Sequence, residues 1–196
     1  EAHVACESLA TKGLIVVSGE IRTSADINVE RVIKDTINEI GYHKGNSGVD
    51  PKEVKILNHL HPQSSEIAQG VDSEIVEDQG AGDQGLMFGY ACNETPELMP
   101  LPIQISHRLT EKLSILRKDG SLPWLRPDGK SQVSVCYENG VPKSIDKTVI
   151  ATQHDDMLVE YGTEKKELEF VKSEIIDKVI KPVLESYGYD YKNDFI

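Results

Sequence analysis

The run QGAGDQGLMFGYACNET, Gln79 to Thr95, divides the chain and decides how the rest of it is read. Between Gly80 and Tyr90 it holds Gly80, Gly82, Gly85 and Gly89 with Ala81, and Asp83 is the only formal charge among them. Glycine at this density permits positive φ and lets a bound molecule approach the main chain closely. Small residues around one carboxylate therefore suit a ligand better than a packed core. A tight turn into a strand is the plainer reading of the same residues, because an isolated glycine cluster is a weak signal.

Working upstream, Pro62 to Asp83 is polar, Gly-bearing and acidic, with Glu66, Asp72, Glu74, Glu77, Asp78 and Asp83 and almost no periodicity. It is expected to be a long mobile loop, of the kind that serves as a lid or linker. Before it, HVACESLA and LIVVSGEI joined at Thr11-Lys12-Gly13 read as a hairpin with one buried face. Asn28 is the expected N-cap of a helix whose apolar stripe is Val29, Val32, Ile33, Ile37 and Ile40, and Gly41 closes it. VKILNHL at 54 to 60 reads as a further strand.

Downstream, a strand is expected over Gly85 to Cys92 and a helix over Ile103 to Arg117, with Ile105, Leu109, Leu113 and Leu116 on one face. SQVSVCY alternates at Val133, Val135 and Tyr137, Asn139-Gly140 supplies a hairpin turn, and the return strand runs through Ile145, Val149 and Ala151. The closing helix carries Leu168, Val171, Ile175, Val179, Val183 and Tyr187 on its stripe and should kink at Pro182. Both halves thus carry a hairpin followed by a helix, and the helices end alike, in Ile40-Gly41-Tyr42 and Tyr187-Gly188-Tyr189. Trp124, between Pro123 and Leu125, reads as a packing anchor.

Composition bounds what such a chain does. Its 196 residues are 38% hydrophobic and 28% charged, a make-up that supports real cores. A formal charge of -12 argues against nucleic acid and against anionic membranes as partners. Cys6, Cys92 and Cys136 are too few and too widely spaced for a disulfide framework or a CxxC metal site, so a reducing, cytoplasmic home is expected. His59 and His61 alternate along a strand, but two histidines without a third ligand make a poor metal site.

GAGDQGLMFGYA, followed by LPWLRPDGKSQV at 122 to 133, resembles S-adenosylmethionine synthetase, also called methionine adenosyltransferase. VACES at 4 to 8, GLIVVSGEIRTSA at 13 to 25, QSSEIAQGVD at 63 to 72 and TVIATQH at 148 to 154 follow in family order, so the likeness spans essentially the whole chain. The resemblance implies an α+β fold of two related sheet-plus-helix domains, the sheets mostly antiparallel with helices on one face and bare faces packing against a partner. It divides the chain into 1–62 (remainder of an N-terminal domain), 63–83 (gating loop and linker) and 84–196 (central domain).

The implied activity joins ATP and L-methionine and releases phosphate and pyrophosphate, with Mg2+ and K+ as cofactors and a homodimer or homotetramer as the assembly. Carried over residue by residue, Glu20 and Gln63 correspond to methionine-binding positions, Asp128, Gly129, Lys130 and Asp83 to ATP-binding positions, and Glu7 to the potassium-binding glutamate. No residue is assigned a catalytic role. The family's His-Pro-Asp-Lys run has no counterpart here, since His61-Pro62 is followed by Gln63. The lysine-rich C-terminal part has none either. The 196 residues are therefore expected to be a middle portion that is inactive alone. The alternative is a non-catalytic homologue acting as an interaction or metabolite-binding module.

Overall fold

The computed structural model describes residues 2–42, 49–64, 80–81 and 84–191, in two compact units, Glu1–Gly89 and Tyr90–Ile196. In the first, strands β1 (His3–Thr11) and β2 (Leu14–Arg22) form the expected antiparallel hairpin, turning at Lys12-Gly13, where Gly13 has φ 71°. Helix α1 (Val29–Ile40) follows. Asn28 Oδ1 accepts from the Arg31 N–H at 2.9 Å, and Gly41 at φ 107° donates its N–H to the carbonyls of Ile37 and Asn38. Strand β3 (Lys55–His61) then lies parallel to β2, giving the order β1-β2-β3. The parallel pair follows from the helical crossover between its strands.

The core of this unit is Ile15 and Val17 from β2, Ile37 from α1 and Val54, with Val29, Ile33, Ile56 and Leu60 packed against them. Val32 and Ile40, expected on the same stripe, are exposed. Helix α1 thus covers one sheet face only.

The second unit opens on helix α2 (Leu101–Lys118), whose Leu101, Ile105, Leu109, Leu113 and Leu116 are buried. Pro100 at its start offers no side-chain cap, and Glu94 supplies one from a distance. Its Oε2 accepts from the Leu101 N–H at 2.9 Å and from the Tyr137 hydroxyl at 2.6 Å. The Tyr137 hydrogen bond, and then the Leu101 N–H, hold this carboxyl below the usual carboxylate range. A depressed folded pKa means that the stabilisation is present above the ordinary carboxylate pKa and is lost as pH falls through the lowered one. Glu94→Ala should therefore cost about 1 kcal/mol at neutral pH, the usual worth of a helix cap on a partly solvated group. In thermal melts, the gap between variant and parent should close on acidification; a pH-independent gap would contradict the cap.

Strands β4 (Leu125–Glu138) and β5 (Val141–His154) form a long antiparallel hairpin closed at Asn139-Gly140. Then come α3 (Leu158–Tyr161), which the sequence reading did not anticipate, α4 (Glu164–Ile175), a π-helical segment (Ile176–Ile180) and α5 (Lys181–Ser186). The interruption falls where Pro182 was expected to act. Proline has no N–H for the ladder, and just before it the Lys181 N–H bonds to the Ile176 carbonyl, five residues back. The core joins α2, β4, β5 and the closing helices, with Trp124 buried edge-on to His154 at 6.2 Å and tilted against Phe170 at 6.0 Å.

Two further expectations are corrected. Residues 85–92 form no strand: Leu86, Met87, Phe88 and Tyr90 are 81%, 92%, 91% and 77% exposed, and no ladder partner engages them. Apolar composition gives strand propensity, but a strand exists only where another backbone pairs with it. Leu168, expected in the helical core stripe, is 66% exposed. Most of the expected loop over 62–83, with Asp83, lies outside the described residues. Among the described residues, no helix is long and apolar enough to cross a membrane.

Candidate functional site

Side chains alternate across a strand, so the register fixes what the uncovered face of the first sheet presents. Ile15 and Val17 point at α1, which leaves Val16, Ser18, Glu20 and Arg22 of β2 on the opposite side. Across the ladder, Glu7 of β1, Ser18 and His59 of β3 form one row, and Ala5, Glu20 and His61 the next. His3 and Arg22 close this end, with Arg22 Nη2 3.0 Å from His3 Nε2. At the hairpin end the same face turns apolar, with Leu9, Val16 and Leu57 in a row. Glu7 and Glu20 therefore share a face and sit in neighbouring rows, on different strands.

Gly19 holds that arrangement. It sits at φ 135° opposite Cys6, and a Cβ there would lie 2.0 Å from the Ala5 carbonyl oxygen. No side chain fits, so the residue before Glu20 must be glycine. Gln63 lies two residues beyond the end of β3, half-buried, and its Oε1 is buried with no hydrogen-bond partner. A buried carbonyl oxygen left unsatisfied is costly, and marks a place where a donor is wanted.

In the second unit, Asp128, Gly129 and Lys130 lie inside β4 and not in the type I turn that Pro127-Asp128 invites. The register breaks between Leu125 and Gly129, because Pro127 has no N–H for the ladder and a bulge accommodates it. Past the bulge, Gly129 faces α2, where an added Cβ would be 3.2 Å from Leu113 Cδ1. Asp128 and Lys130 share the other side, with Lys130 Nζ 2.6 Å from Asp128 Oδ1 and the side chains 71% and 55% exposed for Lys130 and Asp128. An exposed pair of this kind adds little stability and leaves both charges available to a ligand.

What steadies this segment was not read from the sequence. Arg126, mostly buried, ion-pairs with Asp155 and donates to the carbonyls of Leu125 at 3.1 Å and Pro123 at 3.3 Å, while the Asp155 N–H reaches the Trp124 carbonyl at 2.8 Å. The arginine and the acid are 29 residues apart in sequence. Only their placement at the start of one strand and the end of its partner could have signalled the brace.

The structure thus gathers Glu7 and Glu20 on one sheet face of the first unit, and Asp128 and Lys130 on one sheet face of the second. Asp83 falls outside the described residues. Among the described residues no group of three or more His, Cys, Asp or Glu could hold a metal ion.

Residues 1–65 match S-adenosylmethionine synthetase, N-terminal domain, and residues 78–195 match S-adenosylmethionine synthetase, central domain. With a mixed α+β architecture in which two of the three strand pairings are antiparallel, and with matches over nearly its whole length, the chain belongs to the S-adenosylmethionine synthetase family.

Proposed function

We propose that this chain takes part in forming S-adenosylmethionine from ATP and L-methionine, with phosphate and pyrophosphate released, and that it contributes the methionine side and part of the ATP side. The observation that carries the reading is the pair of acceptors at one end of the first sheet, the Glu20 carboxylate and the unsatisfied Gln63 Oε1. An amino acid's ammonium needs such acceptors.

The reaction asks for position first. Methionine sulfur must meet the 5′ carbon of ATP in line with the departing triphosphate oxygen, with water kept out. Charge comes second, since sulfur becomes a sulfonium while the leaving chain gains negative charge. Glu20 and Gln63 hold the ammonium and so fix where the thioether sits. Lys130 leaves Asp128 for phosphate oxygens, and Gly129, packed against Leu113, keeps the lysine on the open face. Asp83 belongs to the nucleoside or sulfur end.

Potassium fits Glu7, whose row supplies the Ser18 hydroxyl opposite a carboxylate, and would fix the hairpin beside Glu20. Magnesium finds no matching carboxylate group among the described residues. We further propose domains at 1–62 and 84–196 joined through 63–83, a homodimer or homotetramer formed through the uncovered sheet faces, and a cytoplasmic home for the three free thiols.

A polypeptide of these 196 residues and no others should form no S-adenosylmethionine from ATP and L-methionine, because a phosphate-facing histidine and a lysine cluster have no counterpart in it. Product detected by mass spectrometry from the purified chain would overturn this division of labour. Binding of L-methionine without turnover would support it.

A further inference from the structure

Gly129 and Thr152 form the last regular pair before the β4 bulge, and both turn toward α2, since the Thr152 Oγ1 lies 3.9 Å from where a Cβ on Gly129 would stand. His154, two residues on, meets the buried Trp124 on the same side. Alternation along β5 therefore sends Gln153 to the face away from α2, together with Ala151. Lys130 pairs with Ala151 in the ladder, so Gln153 stands one same-face step, about 7 Å, along the strand from that row. Asp128, beside the Gly129–Thr152 pair, lies on this face as well.

A lysine, a carboxylate and a carboxamide thus share one end of one sheet face. Two of them hold each other, Lys130 Nζ donating to Asp128 Oδ1 at 2.6 Å. Gln153 is half-buried, and its Oε1 is shut off from solvent with no hydrogen-bond partner. A shielded acceptor of this kind is costly in the free chain and is satisfied when a ligand brings a donor.

Given that Lys130 takes a phosphate of ATP, as the synthesis reading holds, we propose that the Gln153 Oε1 accepts from a ribose hydroxyl of the same nucleotide and selects ribonucleotides over deoxyribonucleotides. The triphosphate offers Gln153 nothing, because its oxygens are themselves acceptors. The donors of ATP are the two ribose hydroxyls and the amino group of the base. In the reaction the departing oxygen belongs to the phosphate next to the sugar, and a cation is wanted there. With Lys130 at that phosphate the sugar lies one strand step away, at Gln153, and the base amino group lies beyond it. Asp128, released when Lys130 turns to phosphate, is a second acceptor beside Gln153. Two neighbouring acceptors match the two hydroxyls of a ribose.

Calorimetric titration of the 196-residue chain with ATP, 2′-deoxyATP and 3′-deoxyATP tests the contact. ATP should bind about tenfold tighter than at least one of the two analogues, as expected when a buried acceptor is left unpaired. In Gln153→Leu, ATP affinity should fall by a similar factor and the preference should vanish, while the ligand-free variant melts like the parent. Equal binding of all three nucleotides by the parent would overturn the proposal, as would a preference that survives in Gln153→Leu. A variant that melts well below the parent and loses all three nucleotides alike would give Gln153 a structural role instead. Lys130→Ala separates this contact from the reading beneath it. ATP binding lost in Lys130→Ala but untouched in Gln153→Leu removes the ribose contact alone, whereas a parent that binds no ATP removes both.

Discussion

Glu20→Ala should weaken L-methionine binding to this chain about tenfold to a hundredfold, the range expected when a charge-assisted hydrogen bond to a ligand is lost. The carboxylate stands on the uncovered face of the central strand, in the row of Ala5 and His61, one row from Glu7. Removing it takes away the negative partner of the ammonium and leaves the fold in place, because the hairpin core lies on the other face with Ile15 and Val17. Calorimetric titration of parent and variant, with melting curves recorded on both, separates the two effects. Unchanged affinity in a variant that melts like the parent would remove Glu20 from the binding site.

Gly19→Ala should do far more damage, about 3 kcal/mol or beyond, because two costs coincide at one position. The backbone at φ 135° disfavours any side chain, and the added methyl would stand 2.0 Å from the Ala5 carbonyl oxygen. Neither can relax without parting β1 from β2 beside Glu20. The first unit should then melt well below the parent and lose methionine binding with it. An alanine variant as stable as the parent, measured by denaturant unfolding, would show that the close approach at Gly19 is not maintained in solution.

Much of this fold was legible because its signals are local. Asn28 and Gly41 bracket α1, Asn139-Gly140 turns the long hairpin, and Pro182 interrupts the closing helix, each through chemistry confined to a few residues. The failures concern partners. Residues 85–92 have the composition of a strand, and Leu168 the spacing of a core residue, but pairing and burial depend on what lies opposite.

The same division holds for the site. Short motifs pointed to Glu7, Glu20, Asp128 and Lys130, whereas the bulge that turns Gly129 inward and Lys130 outward comes from Pro127 and from Leu113 on α2. The Tyr137–Glu94 hydrogen bond and the Arg126–Asp155 brace join residues distant in sequence, which no single-window pattern reports. The Tyr187–Glu97 hydrogen bond, which ties the two ends of the second unit, is equally non-local. Arg108 reaches Glu97 at 3.0 Å and Glu111 at 2.7 Å, and the Arg108 hydrogen bond holds the Glu97 carboxyl down at about 2. Tyr187, just past α5, joins the cluster by donating its hydroxyl to Glu97 at 2.9 Å.

The most direct test is a crystal structure of the chain grown with L-methionine and a non-hydrolysable ATP analogue. The methionine ammonium should lie about 3 Å from the Glu20 carboxylate, at hydrogen-bond distance, with an analogue phosphate oxygen on Lys130 Nζ. Methionine bound away from the sheet face that carries Glu20, with Lys130 still paired to Asp128 and no phosphate near it, would contradict this reading.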